Sequence, residues 1–169
     1  DHLAGKRLFL YFEGANQEAD VYVNGAFAGN HKGGYTAFAV PITHLIDWDK
    51  THAVIAVQVD NSHDPMIPPL SVGYGLYGGI YRDVWLIATN DVHFDITDHA
   101  APGVQIFTEQ VSTERATVRL RAALVNDSET TRTVEVLHTV YDAENREVQS
   151  VRQQVELEAG GRKYVQSAI

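Results

Sequence analysis

Residues 60–83 read DNSHDPMIPPLSVGYGLYGGIYRD, and the fold turns on how this stretch is taken. It has neither the two-residue period of a strand nor the 3.6-residue period of a helix. Three of the five prolines, at 65, 68 and 69, fall inside it, with four glycines at 73, 75, 78 and 79. Val54 to Val59 precedes it as an alternating strand, and Val84 to Ala88 follows as another. Loops this long inside a compact domain are uncommon and are usually functional or disordered. Tyr74, Tyr77, Ile80 and Tyr81, set among glycines and prolines, favour a shaped surface over disorder. Tyrosines beside Asn61, His63 and Asp64 suit a sugar: ring faces stack on the C–H face of a pyranose, and carboxylates and amides bind its hydroxyls. The competing reading is a structural connection over the end of a β-sandwich.

Moving outward, the flanking segments are strands. Arg7 to Glu13 is apolar on both faces, as in a central sandwich strand. Ala19 to Asn24 places Val21 and Val23 on one face and Tyr22 on the other. Asn24-Gly25 predicts a type I′ hairpin, because both central residues need positive φ, with Phe27 to Asn30 returning. Tyr35 to Val40, His52 to Asp60 and Arg82 to Thr89 complete the first half. The pattern breaks around Asn90 to Phe94, which predicts domains over 1–91 and 92–169. Beyond it, Val104 to Gln110, Glu114 to Val125, Thr131 to Tyr141, Val148 to Leu157 and Lys163 to Ile169 alternate between polar turns. Short strands at this spacing without helix period indicate antiparallel sandwiches.

The formal charge of −9 and the absence of any basic run argue against a nucleic-acid partner. No apolar stretch reaches the roughly 18 residues of a membrane helix. The opening Asp1-His2-Leu3 lacks the basic and then apolar pattern of a signal peptide, which leaves cytoplasmic and periplasmic or secreted settings both open. With no cysteine there is no disulfide or thiolate metal site. No G-x-S-x-G elbow, Walker loop or H-E-x-x-H spacing occurs, so no metal site and no cofactor is expected. Asn61, Ser62 and Asp64 read best as turn-holding groups that bond nearby backbone. Glu109, Glu114, Glu129, Glu135, Glu144, Glu147, Glu156 and Glu158 read as a solvated surface, and no catalytic residue is assigned.

VYVNG at 21–25, GNHKGGYTAF at 29–38, DNSHDP at 60–65, PPLS at 68–71 and YGGIYRDVWL at 77–86 resemble, in this order, glycoside hydrolase family 2. The resemblance is strong in the first half and weaker in the second. It implies an all-β chain: a jelly-roll, galactose-binding-like β-sandwich followed by an immunoglobulin-like β-sandwich. It further implies strands before Arg7 and after Ile169 in the parent, so that both sandwiches are truncated here. The implied parent is a retaining β-galactosidase-like enzyme whose two catalytic glutamates lie on a following TIM barrel, absent from this sequence.

In that reading the 60–83 loop supports the substrate pocket. His63, Asp64, Tyr74 and Tyr77 are the substrate-binding candidates. Asp60, Asn61, Gly78, Gly79, Arg82 and Asp83 are the loop anchors, with Arg82 expected in a buried or half-buried ion pair. Related sequences often carry an aspartate and an aromatic after P-P-L-S; here the aligned residues are Gly73 and Tyr74, which leaves the glycoside open. The implied partners are a β-glycoside, the enzyme's own barrel and, without a decision, a second copy of the chain. A free-standing carbohydrate-binding module and a purely architectural domain pair are the alternatives.

Overall fold

β1 (Arg7–Phe12) turns Leu8, Leu10 and Phe12 to one side, where all three are buried. That side faces β3 (Glu18–Val23), whose alternate residues Ala19, Val21 and Val23 are buried in the same core. These two strands are the centres of two antiparallel three-stranded sheets. The computed structural model describes residues 2–68 and 77–169, and its chain divides into compact units over Asp1–Asn90 and Asp91–Ile169.

In the first unit β1 lies between β5 (Phe38–Pro41) and β8 (Val84–Thr89). β3 lies between β4 (Ala26–Lys32) and β6 (Ile55–Asp60). A 3₁₀ turn, Thr43–Leu45, follows β5. Two-residue strands β2 (Ala15–Asn16) and β7 (Gly79–Ile80) pair with each other. The core joins the sheets through Leu8, Leu10, Phe12, Val21, Val23, Phe38, Val40 and Ile42. Each such side chain contributes about 1.5–3 kcal/mol by leaving water. Phe12 stacks on Phe38 at 4.6 Å, and His31 stacks on Phe38 at 4.3 Å, so a column of three rings runs through this unit.

The β3–β4 turn has Asn24 at φ 52° and Gly25 at φ 83°, the positive pair that a type I′ hairpin requires. Asn24 does more than turn the chain. Its Nδ2 donates to the Leu45 carbonyl at 3.0 Å, and its Oδ1 accepts the Val54 N–H at 3.0 Å.

The second unit contains β9 (Val92–Phe94), β10 (Val104–Val111), β11 (Ala116–Asn126), β12 (Arg132–Tyr141), β13 (Glu147–Leu157) and β14 (Arg162–Ala168). β11 pairs with β10 along one edge, and β14 and β9 also pair with it; β12 and β13 form a separate long hairpin. Leu124 and Val165 from the first sheet meet Val136, Val155 and Leu157 from the hairpin. The broken pattern at Asn90 to Phe94 holds a strand, since Val92–Phe94 pairs with Leu124–Asn126. Three residues are too few to show a period. At the far hairpin turn Asn145 adopts φ 60°, and the Asp142 carboxylate accepts the Glu144 and Arg146 N–H groups at 2.9 Å each. Both units are β-sandwiches, and no α-helix occurs among the described residues.

Candidate functional site

The 60–83 loop leaves the sandwich at the end of β6 and returns through β7. Its two ends are brought together at a neck. Asn61 packs over Gly78 so closely that a β-carbon on Gly78 would lie 2.7 Å from Asn61 Cγ. The neck rests on a buried dipeptide, Asn16-Gln17, only 4% and 5% exposed. Gln17 donates Nε2 to the Ser62 carbonyl at 2.6 Å and its backbone N–H to the Asp60 carbonyl at 3.0 Å. Its own carbonyl accepts the Gly33 N–H at 2.9 Å. Asn16 donates Nδ2 to the Tyr77 carbonyl at 2.7 Å and faces Gly79 in the β2–β7 pairing. One amide therefore holds the entrance of the loop and the other its exit.

On the entrance side, Asp60 accepts the Ser62 N–H at 2.7 Å. Hydrogen bonding from Ser62, first by its side chain and then by its backbone, holds the Asp60 carboxyl below its ordinary value. Asp64 is half-buried and accepts the Met66 N–H at 2.8 Å, while its carbonyl accepts the Ile67 N–H at 3.1 Å. His63 is exposed between them. On the exit side, Tyr77 is 88% exposed although its carbonyl is bound. Gly79 has φ 106°, which allows the chain to pass from the neck into β7. Tyr81 hydroxyl donates to the Gly34 carbonyl at 2.5 Å, and its ring lies 6.3 Å from that of Tyr35.

One anchor, Arg82, differs from expectation. Arg82 is exposed and forms no ion pair among the described residues; its guanidinium stands 5.5 Å from the centre of the Tyr81 ring. Asp83 also exposes its side chain, and it is its carbonyl that accepts the Glu13 N–H, at 3.0 Å. Tyr74 lies outside the described residues. The structure thus groups Asp60, Asn61, Asp64, Tyr77, Gly78 and Gly79 around one neck, with His63 beside it. No cluster of three His, Asp or Glu suited to a metal ion occurs among the described residues.

No family model matches the chain. It is 42% identical over 122 residues to a β-glucuronidase of Bacteroides fragilis, covering 72% of this chain and 17% of that protein. It is 34% identical over 157 residues to the β-galactosidase BoGH2A of Bacteroides ovatus, covering 93% of this chain and 17% of that protein. The solved β-glucuronidase of Bacteroides uniformis superposes with a TM-score of 0.95 at 35% identity, over 100% of this chain and 20% of that one. A solved glycosyl hydrolase family 2 member from Bacteroides cellulosilyticus superposes with a TM-score of 0.81 at 28% identity, over 99% and 21%. This chain is a β-sandwich segment of glycoside hydrolase family 2. It spans 17% of the length of both curated relatives named here.

Within this family 2 segment the residues that sequence reasoning missed are Asn16 and Gln17. FEGANQEA at 12–19 reads as a turn between two strands, and nothing local marks its amides as buried. Their burial comes from partners 45 and 61 residues away. A cavity of about 830 Å³ opens elsewhere in the first unit, lined by Leu3, Leu8, Ile42, Trp48, Ile55 and Leu86 among others. It shares no residue with the neck.

Proposed function

We propose that this chain is the non-catalytic sandwich segment of a retaining β-galactosidase-like enzyme, with the 60–83 loop lining the substrate pocket. One observation carries the pocket reading. The loop is pinned by its backbone at both ends to buried amides, yet the Tyr77 ring at its exit is 88% exposed. A fixed backbone that presents a bare aromatic face lowers the ordering cost of stacking on an apolar ligand surface. His63 and the Asp64 carboxylate supply hydroxyl partners on the other side of the neck. The catalytic carboxylates belong to a barrel in the remainder of the enzyme. The first unit is a jelly roll.

The named relatives include both a β-glucuronidase and a β-galactosidase. The charged residues of the described loop are Asp60, Asp64, Arg82 and Asp83, three of them acidic. Arg82, the single cation among them, is engaged over Tyr81. That balance favours a neutral galactoside over an anionic glucuronide. The test is turnover of nitrophenyl β-galactoside, β-glucuronide and β-mannoside by the full-length protein, beside the 169-residue chain. Turnover by the full-length protein alone, with galactoside preferred, is expected. Turnover by the chain alone overturns the assignment of catalysis elsewhere, and a preference for glucuronide overturns the galactoside reading.

A further inference from the structure

We infer that Gln17 is a positioning residue for the sugar-binding candidates His63 and Asp64 at the loop entrance, acting through the Ser62 carbonyl; this rests on the pocket reading above. Gln17 uses three polar groups on two backbone segments, the loop entrance at 60–62 and the turn at Gly33. Its N–H binds Asp60, its carbonyl binds Gly33, and its Nε2 binds Ser62 at 2.6 Å. The first two bonds fix Gln17 itself between the end of β6 and the turn after β4. The third transfers that fixed position to the loop. Ser62 directly precedes His63, and Asp64 follows. Asn16, the adjacent residue, holds Tyr77 at the opposite side. The dipeptide therefore sets the separation and orientation of the two groups of sugar-binding candidates, although Gln17 is 95% buried and touches no ligand surface itself.

The chemistry explains why an amide is needed. Ser62 offers a carbonyl, so the partner must donate. A glutamate of the same shape would oppose one acceptor with another and would bury a charge. A methionine would match the volume and leave the carbonyl without this donor. An asparagine would keep the amide and fall one methylene short.

The experiment is a kinetic cycle in the full-length protein with nitrophenyl β-galactoside, well below its unfolding temperature. Gln17→Met is combined with His63→Ala and with Tyr77→Ala. We expect Gln17→Met to lower kcat/KM about tenfold or more in fully folded enzyme, as misplacement of binding groups does. We also expect each loop substitution to cost less in the Gln17→Met background than alone, because the loop is already displaced. Wild-type kcat/KM in the folded variant, or losses that simply multiply, overturns the inference. Gln17→Asn gives the same test where Gln17→Met does not accumulate. If His63→Ala and Tyr77→Ala change nothing in an otherwise wild-type enzyme, the pocket reading itself fails. If they impair turnover and Gln17→Met does not, only the role of Gln17 fails.

Discussion

A β-carbon on Gly34 would lie 2.2 Å from Oδ1 of Asn16 and 3.0 Å from its Cγ. That oxygen is buried and has no hydrogen-bond partner among the described residues. A side chain at 34 can be admitted only if the Asn16 amide moves. Movement breaks its 2.7 Å bond to Tyr77 and disturbs the exit of the loop. The Gly34 carbonyl also receives the Tyr81 hydroxyl, so backbone movement at 34 is opposed as well. Gly34→Ala is therefore expected to destabilise the first unit by about 1–3 kcal/mol. Thermal unfolding followed by Trp48 and Trp85 fluorescence reads this unit selectively, since both tryptophans lie in it. A drop of at least about 4 °C is expected. An unchanged midpoint shows that the neck relaxes freely and that the two residues are not coupled.

Arg82 provides a contrasting case. Its planar fork suits a buried carboxylate, but side-chain preference says nothing about which group the fold brings opposite. Here the guanidinium is exposed over Tyr81, an interaction of about 0.5–1 kcal/mol at an exposed site. Arg82→Ala is expected to cost no more than that. A loss of about 3–5 kcal/mol, the range for breaking a buried ion pair, would restore the anchor role and contradict the geometry. Urea denaturation of the wild type and the variant, with the same tryptophan signal, separates the two ranges.

In the second unit a single asparagine closes the sandwich. Asn126 is fully buried at the end of β11, and its Nδ2 lies within 2.9 Å of the Thr130 carbonyl, 3.2 Å of Leu157 and 2.9 Å of Glu158. Its Oδ1 accepts both the N–H and the hydroxyl of Ser128. Asn126→Ala strands several of these groups away from water, at a cost of about 2–4 kcal/mol. Asn126→Asp preserves shape but removes the donors, so it is expected to be at least as damaging. Hydrogen exchange of the β11 and β13 amides measures both. Protection equal to wild type in either variant would show that water or neighbouring groups replace Asn126.

The parts of this molecule that could be read in the sequence are those with local causes. Alternation over His52 to Asp60 announces the strand that forms at Ile55–Asp60, and Asn24-Gly25 announces a turn because its φ values demand those residues. β2 and β7 have two residues each and β9 has three, too short for any period, so only their pairing defines them. The loop could be found by its lack of period and its aromatics. Its support could not, because Asn16 and Gln17 are ordinary turn residues until the fold brings Tyr77 and Ser62 beside them. Asn126 is likewise an ordinary turn asparagine in the sequence and a fully buried hub in the structure.

His138 gives the second unit a pH response whose direction follows from its surroundings. It lies on the buried face of β12 with Nδ1 2.6 Å from the Ser167 hydroxyl, and its Nε2 is buried without a partner among the described residues. Burial disfavours the imidazolium and lowers the pKa below its ordinary value of 6.5. Well above 6.5 the imidazole is neutral in both folded and unfolded chains, and the group adds no pH dependence. As pH falls through 6.5 the unfolded chain binds the proton first, so stability declines, and the decline ends below the lowered folded value. His138→Gln keeps a polar side chain able to meet Ser167 but cannot titrate in this range. Exchange protection of the β12 and β14 amides, compared between pH 7.5 and 5, is expected to fall more in wild type than in His138→Gln. Following the second unit by exchange separates this effect from His31, which burial also shifts downward but which lies in the first unit. Equal losses in the two proteins would assign the acid sensitivity to other groups.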